Sequence, residues 1–250
     1  MDSRRRSKYL PMVAVALAAP AGRAAVPARA SQAFDRYATL AEKQLRDGPF
    51  LYSDAHPEVR PSARKGQTIV VEQKAADVPV TGGLIHDWLG VSFIPGASIA
   101  SLRALMQDYD NYKRIYSPDI IDSRLISRDG GHFRAFLQLE NTQFLKLIYD
   151  SDYDIQYSAP AADRMEIVSR STRIQQSGSD QGFLWRLNSY WRFEQVEGGV
   201  YVQCRAISLS RDLPLGFGWL RGFLERFPRE SMVNTMDATR RAAKSSPMHP

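Results

Sequence analysis

The sequence predicts an α+β fold in which a curved antiparallel β-sheet is closed by a long C-terminal helix. Three observations predict it. Residues 182–214 read as two long strands joined at Glu197-Gly198-Gly199, where the paired glycines permit the positive φ values of a tight hairpin. Upstream, residues 120–174 hold successive strand-length runs separated by turn signals, several of them alternating apolar and polar. Downstream, Phe217, Leu220, Phe223, Leu224 and Phe227 recur at helical spacing, and Met232, Val233 and Met236 continue the stripe.

Taken in order, the chain begins with a basic head, Arg4, Arg5, Arg6 and Lys8, followed by an apolar run over residues 10–21. That run is too short for a spanning helix, which needs about 20 residues. Ala28-Arg29-Ala30 supplies the small-x-small pattern of a signal-peptidase site. Residues 1–30 are therefore expected to be an export signal cleaved after Ala30, with Ala24 as the second site and an uncleaved anchor as the alternative. Localisation is then the periplasm or the exterior of a bacterium.

Residues 31–46 carry Phe34, Tyr37, Leu40, Ala41 and Leu45 near helical spacing, and Gly48-Pro49 stops them. An irregular connection with Pro57, Pro61 and Gly66 reaches a β-rich run at 67–74. This run is expected to pair with 84–94 as a hairpin. Pro95-Gly96 ends that strand, and a helix over 98–108 follows, with Ser98 as its N-cap. Strands are expected at 120–128, 132–140, 144–157 and 165–174, then the 182–214 hairpin. Pro228 removes a helical hydrogen bond, so the C-terminal stripe is expected to break near Phe227-Pro228 and restart at Arg229.

This order resembles the START-like superfamily, also called SRPBCC or helix-grip proteins, with its polyketide cyclase and dehydrase-type members. The features that carry the resemblance are Pro95-Gly96 leading into the helix around Leu102, then Asp110-Asn111-Tyr112-Lys113 with Ile115 and Pro118, the strand meander, and the helix over 216–244. It covers residues 66–244 and leaves 31–65 as an N-terminal helix and linker and 245–250 as a disordered tail. It implies a cavity between sheet and helix that binds lipids, sterols, polyketides or other apolar molecules.

Charge and cysteine usage narrow the function classes. Residues 1–30 hold six basic side chains against Asp2, so about +1 of the chain's net +6 belongs to the remainder. That argues against a nucleic-acid partner, which needs a clustered basic face. The single cysteine, Cys204, excludes an intramolecular disulfide. Four scattered histidines show no metal-ligand spacing, and no cofactor is expected. Asp150, Asp152 and Asp154 lack the glycine and acidic ligand that a calcium loop would need at Ile155 and Ala161, and read instead as one solvated strand face.

The expected ligand-cavity residues are Tyr149, Tyr153, Trp191, Phe193, Cys204, Phe217 and Leu220. Aromatic walls with a few polar tips suit a small-molecule pocket. Tyr149, Tyr153 and Tyr157 form a ladder whose hydroxyls need partners if buried. Trp191 and Phe193 share a strand face with Leu187 and Ser189, opposite Tyr190 and Arg192, so one of the two faces belongs to the interior. Arg186, Arg192 and Arg211 are expected at the surface. Phe217, Trp219 and Leu220 would gate a cavity mouth or make transient contact with a membrane. The leading expectation is an exported binding domain for an apolar or amphipathic, lipid-like molecule, without turnover. Two alternatives stay open: a cyclase- or hydratase-type enzyme drawing on His86, His132 and Tyr149, and an envelope protein whose own side chains fill the cavity. Oligomeric state is not legible.

Overall fold

The computed structural model describes residues 26–75, 80–141, 146–178, 182–212 and 221–245, with the backbone alone for 141 and 221–227. Eight strands form one antiparallel sheet: β1 (Ile69–Glu72), β2 (Gly83–Pro95), β3 (Ile120–Asp129), β4 (His132–Asn141), β5 (Leu147–Ala161), β6 (Arg164–Gln176), β7 (Leu184–Val196) and β8 (Gly199–Arg211). Their order is β1-β2-β8-β7-β6-β5-β4-β3, so the meander from β3 to β8 is completed by β2 returning to pair along the whole of β8. Strands of 13 to 15 residues with register shifts at Asp152/Tyr153, Ser158/Ala161 and Leu184/Arg186 bend the sheet into a trough. The expected hairpin of β1 with β2 forms, in the register Ile69↔Val91.

Glycine is required at the β7–β8 turn. Gly198 sits at φ +82°, and a Cβ on Gly199 would lie 2.3 Å from the Ile94 carbonyl oxygen of the paired strand β2. After β2, Ser98 accepts from the Ser101 amide and starts the helix Ile99–Gln107, as its cap chemistry predicts.

The helices are α1 (Ala28–Asp47), α2 (Tyr52–Ala55), α3 (Arg60–Arg64), α4 (Ile99–Gln107), α5 (Tyr112–Ile115) and α6 (Arg221–Ser245). The C-terminal helix differs from expectation at one point: α6 runs through Pro228 without the break near Phe227-Pro228. Proline forfeits one backbone hydrogen bond, but its ring fixes a φ that is already helical. Beyond it, Met232, Met236 and Thr239 are buried against the sheet and hold the second half in place. A close approach lies at Gly90 of β2, where a Cβ would lie 2.9 Å from both Cγ and Sδ of Met232.

The two faces of the sheet carry different layers. On the concave face, α4, α5 and the later turns of α6 cover a core that includes Ile94, Leu102, Met106, Met165, Phe193 and Val202. On the convex face, α1 packs Phe34, Tyr37, Ala38 and Ala41 against Tyr190, Ile207 and Leu209. Beside it Leu51 and Ala63 cover Phe93 and Tyr201. Both faces of β7 are therefore interior, where the sequence pattern assigned only one. The side groups opposite Trp191 and Phe193 are roofed by the N-terminal segment, through a long-range contact that alternation alone does not reveal.

Candidate functional site

The concave face is the candidate site, and its two ends differ. Alternation places Met165 and Ile167 of β6, Trp191 and Phe193 of β7, and Val202 and Cys204 of β8 on it. All six are buried. Trp191 lies opposite Ile167 on one side and Cys204 on the other, and its ring stacks on Phe193 at 6.0 Å. The expected residues Trp191, Phe193 and Cys204 thus meet in one patch, and that patch is packed.

Towards the other end of the same strands the inward residues, Leu187 apart, become small. Ser169, Ser171, Leu187, Ser189, Ala206 and Ser208 follow one another across β6, β7 and β8 in the pairs Ser169↔Ser189, Ser189↔Ala206 and Leu187↔Ser208. Except for the buried Ser171, these side chains keep partial solvent access on the central strands of an eight-stranded sheet. Large aliphatic groups at these positions would fill the trough. Short hydroxyl and methyl groups occupy less of it.

Tyr149, Tyr153 and Tyr157 line the β5 wall of the trough, and their hydroxyls meet three different fates. Tyr157 Oη lies 2.7 Å from Tyr109 Oη and also donates to the Met106 carbonyl. Tyr149 meets the backbone amide of Leu184, and burial pushes its phenol up to about 12. Tyr153 Oη is buried without a hydrogen-bond partner, as is the neighbouring Ser151 Oγ. Phe217 and Leu220, the remaining expected cavity residues, lie outside the described residues.

The potential acid–base groups do not converge. His86 on β2 reaches Ser210 Oγ at 3.1 Å on the concave side. His132 on β4 turns to the convex side, 2.9 Å from Asp154. Tyr149 lies on a third strand. Burial pushes the Cys204 thiol far above its usual range, so the thiolate needed for nucleophilic attack is disfavoured. Among the described residues no group of histidine, cysteine and acidic side chains has metal-binding geometry.

Several important residues were not legible as such. Tyr109, Tyr112 and Tyr116 close one end of the trough as a contiguous aromatic cluster, with Tyr116 Oη 3.1 Å from Thr239 of α6. Their spacing of three and four residues was the available signal. On the convex side, Arg205 and Asp87 form a buried pair with Nε–Oδ1 at 2.8 Å. Arg192, expected at the surface, is largely buried and donates to the Phe50 carbonyl at 3.0 Å. The three aspartates of β5 are not left to solvent alone: Gln138 meets Asp150, Arg173 meets Asp152, and His132 meets Asp154.

An antiparallel trough gripping a C-terminal helix defines the START-like, helix-grip fold. Comparison with solved structures agrees. The chain is similar to a STAR-related lipid transfer protein from Xanthomonas axonopodis, with TM-score 0.53 and 16% identity over 70% of this chain and 99% of that one. It is also similar to human STARD10, with TM-score 0.52 and 11% identity over 72% and 70% of the respective chains. No protein-family model matches the sequence, and no curated protein sequence does.

Proposed function

We propose that the chain is a binding domain that holds an apolar or amphipathic, lipid-like small molecule in the concave trough, without chemical turnover. The observation that carries this reading is the open floor of Ser169, Leu187, Ser189, Ala206 and Ser208, set beside a packed aromatic end. An apolar chain laid on that floor gains about 25 cal/mol for each Å² it removes from water. The likeness in fold to a lipid transfer protein supports the same reading. So does the separation of His86, His132 and Tyr149 onto three strands.

Filling the floor tests it. Ala206→Trp places an indole in the trough and is expected to abolish uptake of a fluorescent apolar probe such as 1-anilinonaphthalene-8-sulfonate. Tyr52→Ala, on α2 outside the trough, should leave uptake unchanged. Equal uptake by wild type and Ala206→Trp would sink the proposal. Native mass spectrometry of protein purified from its own envelope would identify the cargo.

We also propose export, with release of the leader after Ala24. The alternative cut after Ala30 would remove the first turn of α1, including the fully buried Ala30. Gly22-Arg23-Ala24 retains the small-x-small pattern and leaves Val26 and α1 intact on the sheet. The mass of the mature chain distinguishes the two sites.

A further inference from the structure

The inward face of the sheet separates hydrogen-bonding capacity from charge. On β2 and β4–β8 the inward positions that alternation assigns, among the described residues, hold no aspartate, glutamate, lysine or arginine. The charged groups of these strands lie on the convex side, including Asp87, Arg164, Glu166, Arg170, Arg192, Glu194 and Arg205, where ion pairs and α1 occupy them. On these strands the inward face is hydroxyl-bearing and uncharged; the nearest cations belong to β3 and the covering helices, with Arg128 over the Phe133 ring and Arg103 near Tyr157.

Within it, two adjacent inward residues of β5 stand out. Ser151 is fully buried and Tyr153 is 5% exposed; their hydroxyls approach each other outside hydrogen-bond geometry, and neither oxygen has another partner. In register they face Leu137 and Ala135 of β4 and Ile174 and Ser171 of β6. Of these, only Ser171 has a polar side chain, and its oxygen already accepts from the Leu187 amide. Buried hydroxyls without partners are uncommon because each forfeits its hydrogen bonds to water. Burial also holds the Tyr153 phenol well above its usual range, so it remains a neutral donor.

We propose that Ser151 and Tyr153 form a head-group subsite that takes an uncharged hydroxyl or carbonyl oxygen of the bound molecule. This rests on the binding function proposed above and specifies its ligand class: an apolar body with a neutral oxygen head. A carboxylate or phosphate head would enter the same position with no cation on these strands to balance it, which is costly away from water.

Three probes that share a pyrene-labelled decyl chain and end in an alcohol, a carboxylate or a methyl group test it. Wild-type protein is expected to bind the alcohol tightest. Tyr153→Phe and Ser151→Ala should each weaken alcohol binding by about tenfold and leave the methyl-terminated probe unchanged. Both variants should keep or exceed the wild-type melting temperature without ligand, since each removes an unpartnered polar atom, and this separates a head-group role from a structural one. Tightest binding of the carboxylate, or an alcohol preference undiminished in Tyr153→Phe, overturns the subsite while leaving the trough as a binding site. Failure of all three probes to bind wild-type protein overturns the binding function and the subsite together.

Discussion

Arg205 shows how far a single residue can depart from what its neighbours in sequence suggest. It lies mid-strand beside Cys204, and alternation correctly turns it away from that thiol. It does not face water. Its side chain and that of Asp87 are 3% and 1% exposed, Tyr37 Oη donates to Asp87 at 2.9 Å, and Gln44 of α1 caps the guanidinium at 3.2 Å. Removing one member of such a pair leaves an uncompensated buried charge. Arg205→Ala is therefore expected to destabilise the protein by about 3–5 kcal/mol, whereas Asp87→Leu combined with Arg205→Met should recover most of the loss. Urea denaturation of the three variants checks this. A cost below about 1 kcal/mol for Arg205→Ala would place the pair in solvent. The residue was unreadable as buried because its burial depends on a helix more than 150 positions earlier in the chain.

At the scale of elements, most boundaries followed from local chemistry. The strands from β3 to β8 fall where turn signals and alternation put them, and Ser98 caps α4 as its position implied. α1 was visible as an amphipathic helix through Phe34, Tyr37 and Ala41, but nothing local says which surface receives its apolar side. The structure supplies the answer: α1 docks through Arg186–Asp35 and Arg170–Glu42 around an apolar centre. The candidate site was half legible. Trp191, Phe193 and Cys204 were placed together correctly by face, yet they are the packed part of the trough. The partly accessible part is mostly serines and one alanine beside Leu187, residues whose smallness carries no signal until the sheet is assembled. α6 misled for a different reason, because a helix-breaking propensity was overridden in a helix whose later turns are held by Met232 and Met236. If the helix is continuous in solution, Pro228→Ala restores a backbone hydrogen bond and should raise the melting temperature. A helix broken at that position would show no gain, or a loss.

For the whole molecule, burial of so many phenols sets an alkaline limit. Desolvation pushes Tyr37, Tyr116 and Tyr149 up to about 12, and it holds Tyr109, Tyr112, Tyr153, Tyr157 and Tyr190 above their usual range. Cys204 behaves likewise. In the unfolded chain a thiol ionises near pH 8.5 and a phenol near 10. With every folded value raised, the unfolded state binds fewer protons at high pH. Stability is thus fully present below about pH 8.5 and falls as pH rises, most steeply beyond about 10. Melting temperatures at pH 7, 9 and 10.5 should decline in that order, with tyrosinate absorbance at 295 nm appearing together with loss of structure. If these eight tyrosines ionised near pH 10 in a molecule still folded, the packing described would be contradicted. The last consequence concerns Gly90. The spacing between the C-terminal helix and the sheet is fixed where Met232 rests on bare backbone, so the missing side chain acts as a gauge for the depth of the trough. Each atom added at position 90 would work as a shim, raising the helix from one end. A graded series from glycine through alanine to valine would then lift the helix further and lower the melting temperature stepwise.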